Sequence, residues 1–165
     1  MNGTDYINIH EILHKPVENM LITGHTDTGE NIFEFMPDYN SYFLKFSDSF
    51  LKIEFYEKTA QLRLSICENI TFHEFPDEPD FKITWASVTE MLMKNYVYTD
   101  FFIKKIILFN AVENEKYFIC DYAEIIFSDE RAVEQVINFD PLNFWGISVD
   151  SKSVPPENAV MTVIE

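Results

Sequence analysis

Two histidines near the start of the sequence have a spacing that could support metal chemistry. The segment reads His10-Glu11-Ile12-Leu13-His14, so the histidines are four residues apart and a glutamate follows the first. On an α-helix, residues i and i+4 lie on one face, where both imidazoles could bind one zinc ion and the carboxylate could activate a bound water. His10 and His14 are therefore candidate ligands, and Glu11 is the candidate base of a metal-dependent hydrolase.

This segment resembles the H-E-x-x-H signature of zinc metallopeptidases over five of 165 residues. A catalytic zinc site needs a third protein ligand, and no further spacing in the sequence indicates one. Pro16 also ends the helix predicted over residues 6–15 soon after the second histidine. We therefore keep the hydrolase as an alternative, and we predict a non-enzymatic protein without metal or cofactor.

The two cysteines and the N-terminal segment indicate a cellular compartment. Cys67 and Cys120 lie far apart in strand-like runs and lack the C-x-x-C spacing, which predicts reduced, buried thiols. No secretory signal and no stretch of about 20 apolar residues is visible. We therefore expect a cytoplasmic protein.

The elements that must position these residues are mostly strands. Leu51, Ile53 and Phe55 alternate with polar residues, and residues 62–66 repeat the pattern, which is typical of antiparallel strands with one wet face. Short helices are predicted over 6–15, 87–95 and 129–137, the last with Ser128 as its cap. The fold class predicted is α+β: one twisted, mainly antiparallel sheet of seven to nine strands with two or three short helices, in a single domain over 1–165.

The charge balance restricts the choice of partner. The chain has 12 Lys and Arg against 28 Asp and Glu, for a net charge of −16. Such a surface repels nucleic-acid phosphates and anionic membranes, but it suits a cationic protein. The excess is concentrated toward the two ends, since residues 41–105 contain eight bases and ten acids. If the two ends meet in space, they form one strongly negative surface.

A rigid acidic loop, residues 74–80, is the segment most suited to binding. Its two prolines reduce the ordering entropy lost on docking, and an aromatic residue surrounded by carboxylates suits a partner with Lys and Arg around an apolar pocket. The predicted partner-binding residues in this loop are Glu74, Phe75, Asp77, Glu78 and Asp80. The second choices are Glu113, Glu115, Asp129 and Glu130.

In overall character, this small, acidic, aromatic-rich α+β chain is similar to immunity proteins of bacterial contact-dependent growth inhibition and polymorphic toxin systems. The resemblance implies a tight one-to-one complex with a cognate toxin domain, a basic nuclease, whose positive surface attracts the negative inhibitor. An acidic nucleic-acid mimic that acts on a DNA-binding protein remains a further alternative.

Overall fold

The chain folds into two antiparallel sheets whose apolar faces supply one core. The computed structural model describes residues 8–29, 34–56, 58–72, 80–143, 146–150, 155 and 157–165. The first sheet has seven strands in the order β5-β1-β2-β3-β4-β8-β7, and the second has five in the order β11-β10-β9-β6-β12. In chain order the strands are β1 (Asn19–Asp27), β2 (Glu34–Lys45), β3 (Phe50–Tyr56), β4 (Gln61–Cys67), β5 (Phe81–Ser87), β6 (Phe101–Phe109), β7 (Val112–Glu113), β8 (Tyr117–Cys120), β9 (Tyr122–Asp129), β10 (Glu134–Phe139), β11 (Ile147–Val149) and β12 (Met161–Ile164).

The alternation seen in the sequence sets which face of each strand is buried. Leu51, Ile53 and Phe55 of β3 face the core, as do Leu62 and Leu64 of β4. The predicted strands over these residues are therefore confirmed. Because the intervening side chains point the other way, the first sheet has an outer face directed away from the second sheet.

Aromatic contacts join the two sheets across the core. Phe139 of β10 is fully buried, and its ring centroid lies 6.0 Å from that of Tyr42 and 6.5 Å from that of Phe55. The contact with Tyr42 is edge-to-face, a geometry in which aromatic pairs attract beyond simple burial. The second sheet is thus held against β2 and β3 of the first.

The chain passes from one sheet to the other at Asp121. Only this residue separates β8 from β9, and its N–H donates to the Phe109 carbonyl at 3.0 Å. Phe118 and Cys120 face the core before it, and Ala123 and Ile125 face the core after it. The period-two pattern of buried residues therefore changes phase at this corner. β9 pairs with β6 in the second sheet, and β8 pairs with β7 in the first.

We predicted one mainly antiparallel sheet of seven to nine strands with two or three short helices. The antiparallel arrangement is confirmed, but the number of strands predicted is too low. The described residues form twelve strands and two four-residue helical turns, a 3-10 helix Ile9–Ile12 and an α-helix α1, Thr89–Leu92. The helices predicted over 6–15 and 87–95 are therefore reduced to these turns.

The helix predicted over 129–137 is wrong, because that segment forms a β-hairpin between β9 and β10. The Asp129 carboxylate accepts the N–H groups of Arg131 at 2.8 Å and Val133 at 2.9 Å. This local turn competes with a helix start, since Asp side chains readily bond nearby backbone N–H groups. The Asp129 side chain thus closes the turn, and the predicted Ser128 cap has no helix to begin.

Within the described ranges, the two helical turns have four residues each, and neither could span a lipid bilayer.

Candidate functional site

The histidine segment does not adopt the geometry that shared metal binding on a helix face requires. His10 and Glu11 lie in the 3-10 helix, which ends at Ile12, and the next residue is extended. His14 has a φ of 62°, in the left-handed region. The two histidines therefore do not occupy one face of an α-helix, and the described residues contain no group of three or more potential ligands.

The last residue of the acidic loop, Asp80, lies beside Thr28, which directly follows β1. Glu74, Phe75, Asp77 and Glu78 lie outside the described residues. Asp80 is exposed, and its carbonyl oxygen accepts both the N–H of Thr28 at 2.8 Å and the Thr28 hydroxyl at 3.0 Å. The end of the predicted binding loop is thereby fixed beside the end of β1.

Three carboxylates, which we call the acid cluster, converge at this end of the sheet. Asp27 lies opposite Glu34 in the β1–β2 register and opposite Phe81 in the β1–β5 register, and Asp80 precedes Phe81. The sequence contains no Lys or Arg between Lys15 and Lys45 or between Arg63 and Lys82. Within the described ranges, none of the three carboxylates has an ion-pair partner. The acid cluster therefore projects uncompensated negative charge.

An exposed apolar surface on the outer face, which we call the β5 patch, adjoins the acid cluster. It consists of Ile83 (47% exposed), Trp85 (48%) and Met36 (38%). His25 lies between Ile83 and Met36 in the strand registers. Large apolar side chains exposed together with polar surroundings are typical of protein interaction sites.

A buried hydroxyl lies beside this patch. Thr23 is opposite Trp85 in the β1–β5 register and is only 1% exposed. Its Oγ1 has no hydrogen-bond partner among the described residues. A buried polar atom without a partner lowers the stability of the fold, and such atoms are rare in folded proteins. Thr23 is therefore an unusual residue for a strand interior.

β5 itself is the longest of the four edge strands. It has seven residues, whereas β7, β11 and β12 have two, three and four. Folded proteins usually blunt sheet edges with short strands, prolines or bulges, and β5 has no proline and an unbroken register with β1. β5 therefore has none of these three protective features.

The second-choice acidic residues do not join this site. Glu113 and Glu115 line a cleft at β4 and the β7–β8 turn, at the opposite edge of the first sheet. Glu130 is exposed in the turn between β9 and β10 of the second sheet. Asp129 is buried and ion-paired to Arg131 at 2.8 Å, and its lowered pKa reflects chiefly the hydrogen bond from the Val133 N–H.

The acidic residues near the two ends of the chain also differ in how many have basic partners. Beyond residue 105, four carboxylates have basic partners; the pairs are Asp129–Arg131, Glu134–Lys104, Asp150–Lys94 and Glu165–Lys105. The acid cluster at the β1–β2 hairpin lacks such partners among the described residues. Among the described residues, negative charge without an ion-pair partner therefore occurs at the acid cluster, which adjoins the β5 patch, and also at Glu113, Glu115 and Glu130.

A charged cluster on the outer face is structural in character. The Glu54 carboxylate, whose side chain is 10% exposed, accepts hydrogen bonds from Lys52 at 2.7 Å and from Arg63 at 2.6 Å. The Arg63 guanidinium lies 5.3 Å from the ring of Tyr56 and 5.2 Å from that of Tyr117. Burial raises the pKa of Glu54, but the hydrogen bonds and charges of the two bases lower it by more. The pKa of Glu54 therefore lies below its ordinary value.

The cysteines are both free thiols. Cys120 is fully buried, and burial raises its pKa to about 12. Cys67 is half-buried, and burial raises its pKa as well. Thiolates are the reactive form, so neither cysteine is activated for nucleophilic chemistry.

Sequence reasoning missed Ile83, Trp85 and Met36. A signal was present, because Phe81, Ile83 and Trp85 alternate with Lys82 and Thr84, as expected for a strand with one apolar face. That alternation predicts a buried face, whereas the structure leaves Ile83 and Trp85 about half exposed. These side chains are exposed because β5 lies at the edge of the sheet. That position depends on the pairing of β5 with the distant strand β1.

Comparisons with protein-family models, with curated proteins and with solved structures found no match for this chain. The geometry and charge of the acid cluster and the β5 patch are therefore the basis on which a function can be proposed.

Proposed function

We propose that this protein is an immunity-type inhibitor that binds a cognate basic toxin domain, a nuclease, in the cytoplasm and neutralises it. The observation that carries the proposal is that the β5 patch and the acid cluster are adjacent in the strand registers at one end of the first sheet. The patch offers apolar area for tight docking, and the cluster offers uncompensated negative charge beside it.

The charge favours a cationic protein as the partner. A nuclease needs a positive surface to hold its substrate, so the acid cluster would attract that surface by long-range Coulomb forces. Rim charges of this kind mainly raise the association rate. The net charge of −16 adds a field of the same sign around the whole molecule.

The apolar residues favour a stable complex over a transient encounter. Tryptophan is among the residues that dominate binding energy when they enter a partner's pocket. Trp85 is half exposed, and its neighbour Ile83 presents a similar fraction of its surface. Burial of both side chains would slow dissociation, whereas the acid cluster would speed association.

The test uses the C-terminal toxin domain encoded by the reading frame adjoining this protein's gene. We expect one-to-one binding, inhibition of nuclease activity, and an association rate that falls about tenfold or more between low and high salt. The Trp145→Phe variant leaves Trp85 as the sole tryptophan, so a fluorescence change on binding reports on the patch.

Absence of such a domain, or a toxin domain that neither binds nor is inhibited by the folded protein, would refute the proposal. A binding rate independent of salt would refute the electrostatic part alone.

A further inference from the structure

β12 forms one edge of the second sheet and bonds to β6 through every second residue. The Asn110 N–H donates to the Val160 carbonyl at 2.8 Å, and the Val160 N–H donates to the Asn110 side-chain oxygen at 3.0 Å. The register with β6 then continues without a shift through Ile164. Because the bonds of an antiparallel ladder recur at every second residue, the even-numbered residues of β12 bond to β6.

Met161 and Val163 consequently direct their N–H and C=O groups away from β6. In the part of the chain that the structure describes, no strand pairs with that side of β12, and neither residue has a hydrogen-bond partner there. Their side chains are also exposed, Met161 by 62% and Val163 by 45%. β12 therefore presents unpaired ladder groups together with exposed apolar side chains.

This edge carries no charge. From Asn158 to Ile164 the sequence contains no Asp, Glu, Lys, Arg or Pro. The first charged residue after it, Glu165, is paired with Lys105 at 2.7 Å. Sheet edges are usually protected by charges, prolines, bulges or short length, and β12 has only its short length. The edge therefore suits an uncharged strand, in contrast to the cationic partner that the acid cluster favours.

We propose that this protein forms a homodimer in which β12 pairs antiparallel with β12 of a second copy, which joins two five-stranded sheets into one of ten strands. Met161 lies opposite the partner subunit's Val163 in this arrangement, and the two-fold axis passes between the two copies of Thr162. Because the axis repeats this pair, the outward N–H and C=O groups of Met161 and Val163 gain partners in both copies.

The pairing also brings the exposed side chains together. Opposite residues of an antiparallel pair share one face, so Met161 packs beside the partner subunit's Val163 on the outer face of the joined sheet. The dimer uses no residue of the acid cluster or the β5 patch. It is therefore independent of the proposed function, and each copy could still bind one toxin domain.

The dimer should be weak, and it should strengthen with salt. β12 has only four residues, and contacts of small area are typical of transient complexes. Each copy carries a net charge of −16, so the two copies repel each other at long range. Salt screens this repulsion, whereas the same salt should slow association with a cationic toxin domain.

The decisive variant is Val163→Pro, with Val163→Thr as its matched control. Proline removes the outward N–H at position 163 while leaving the bonds of Thr162 and Ile164 to β6, and proline is tolerated on edge strands. Threonine keeps the N–H and the branched shape of the side chain. Sedimentation velocity from about 10 µM to about 1 mM, in low and high salt, measures dimerisation at the concentrations expected for a weak complex. Circular dichroism and thermal unfolding check the fold of each variant.

We expect the parent to pass from monomer to dimer over this range, at lower concentration in high salt. Val163→Pro should raise the dissociation constant at least about tenfold, and Val163→Thr should change it by less than about threefold. A parent that stays monomeric throughout would overturn the proposal. A folded Val163→Pro variant that dimerises like the parent would overturn it as well.

Hydrogen exchange on the parent decides the question if Val163→Pro does not fold. Pairing protects the amides of Met161 and Val163, so their exchange should slow at least about threefold between dilute and concentrated samples. Unchanged exchange at both amides in a sample that sediments as a dimer would overturn the proposal, because another surface would then join the copies. Protection that requires the toxin domain would also overturn it, because the occupant of this edge would then be the toxin.

Discussion

Arg63 donates two hydrogen bonds to a single carboxylate oxygen of Glu54, from Nε at 3.0 Å and from Nη2 at 2.6 Å. Lys52 bonds the other oxygen at 2.7 Å, so one nearly buried carboxylate is the shared counter-charge of two bases. The three residues cross β3 and β4 on the outer face, where Tyr56 and Tyr117 flank the guanidinium. This network fixes the middle of the sheet that carries the β5 patch.

Loss of the Glu54 charge should destabilise the fold. Glu54→Gln keeps the size of the side chain but leaves Lys52 and Arg63 without a counter-charge, which should cost about 2–3 kcal/mol in the free energy of unfolding. Glu18→Gln is the control, because the Glu18–Lys45 pair is exposed and should change stability by less than about 0.5 kcal/mol. Urea unfolding measures both, and equal losses would contradict the structural role of Glu54.

Stability should also depend on pH through Glu54. Its folded-state pKa lies below the ordinary 4.5, since the bonds from Lys52 and Arg63 outweigh burial. The ionised carboxylate therefore stabilises the fold above the unfolded-state pKa, and this contribution disappears as the pH falls through the folded-state value. The difference in unfolding free energy between the parent and Glu54→Gln should shrink from pH 7 to pH 3. A constant difference over that range would show that the pKa is not lowered.

Gly24 is required by a close approach between strands. A β-carbon at this position would lie 2.2 Å from the Met36 carbonyl oxygen and 2.8 Å from the Phe35 ring, at the point where the β1–β2 register shifts. Gly24→Ala should therefore destabilise the protein by about 1–3 kcal/mol. Gly29→Ala, where the nearest atom is 3.2 Å away on the Asp27 side chain, should cost clearly less in thermal unfolding. A reversed order would argue against this strand pairing.

Contact between the two sheets depends on Phe139. Phe139→Ala removes a fully buried ring that touches Tyr42 and Phe55, and it should cost about 3–5 kcal/mol because a cavity remains. Tyr98→Ala removes a ring that is 82% exposed and should change stability by less than about 0.5 kcal/mol. Denaturant unfolding separates the two, and a small effect of Phe139→Ala would exclude the packing described here.

Electrostatic attraction should depend on where the acids lie and not only on how many there are. A triple variant of the acid cluster, Asp27→Asn, Glu34→Gln and Asp80→Asn, should slow association with the toxin domain several-fold and flatten its salt dependence. The control triple removes the same charge elsewhere, at Glu113, Glu115 and Glu130, each replaced by Gln. Stopped-flow kinetics of both variants checks the prediction, which fails if the control slows association equally.

The sequence predicted local elements better than it predicted how they assemble. Alternation identified β3 and β4, because their pairing is local and each has one buried face. The division into two sheets was missed, although the phase change at Asp121 is visible in the sequence once Cys120 and Ala123 are known to face one core. A single polar residue between two strand-like runs does not by itself indicate a corner.

The candidate site was predicted in part for a similar reason. The acidic loop 74–80 drew attention to Asp80, and the structure places this residue next to Phe81, which pairs with Asp27 opposite Glu34. The β5 patch could not be predicted, because exposure of Ile83 and Trp85 follows from the edge position of β5. That position depends on pairing with β1, about 60 residues earlier in the chain.

The corner at Asp121 has a consequence for how the molecule comes apart. Since only Asp121 separates β8 of the first sheet from β9 of the second, the two sheets are joined there without a flexible linker. Because both sheets also bury their apolar faces in one shared core, we expect them to unfold together, and we expect limited proteolysis to release no stable fragment that contains one sheet alone.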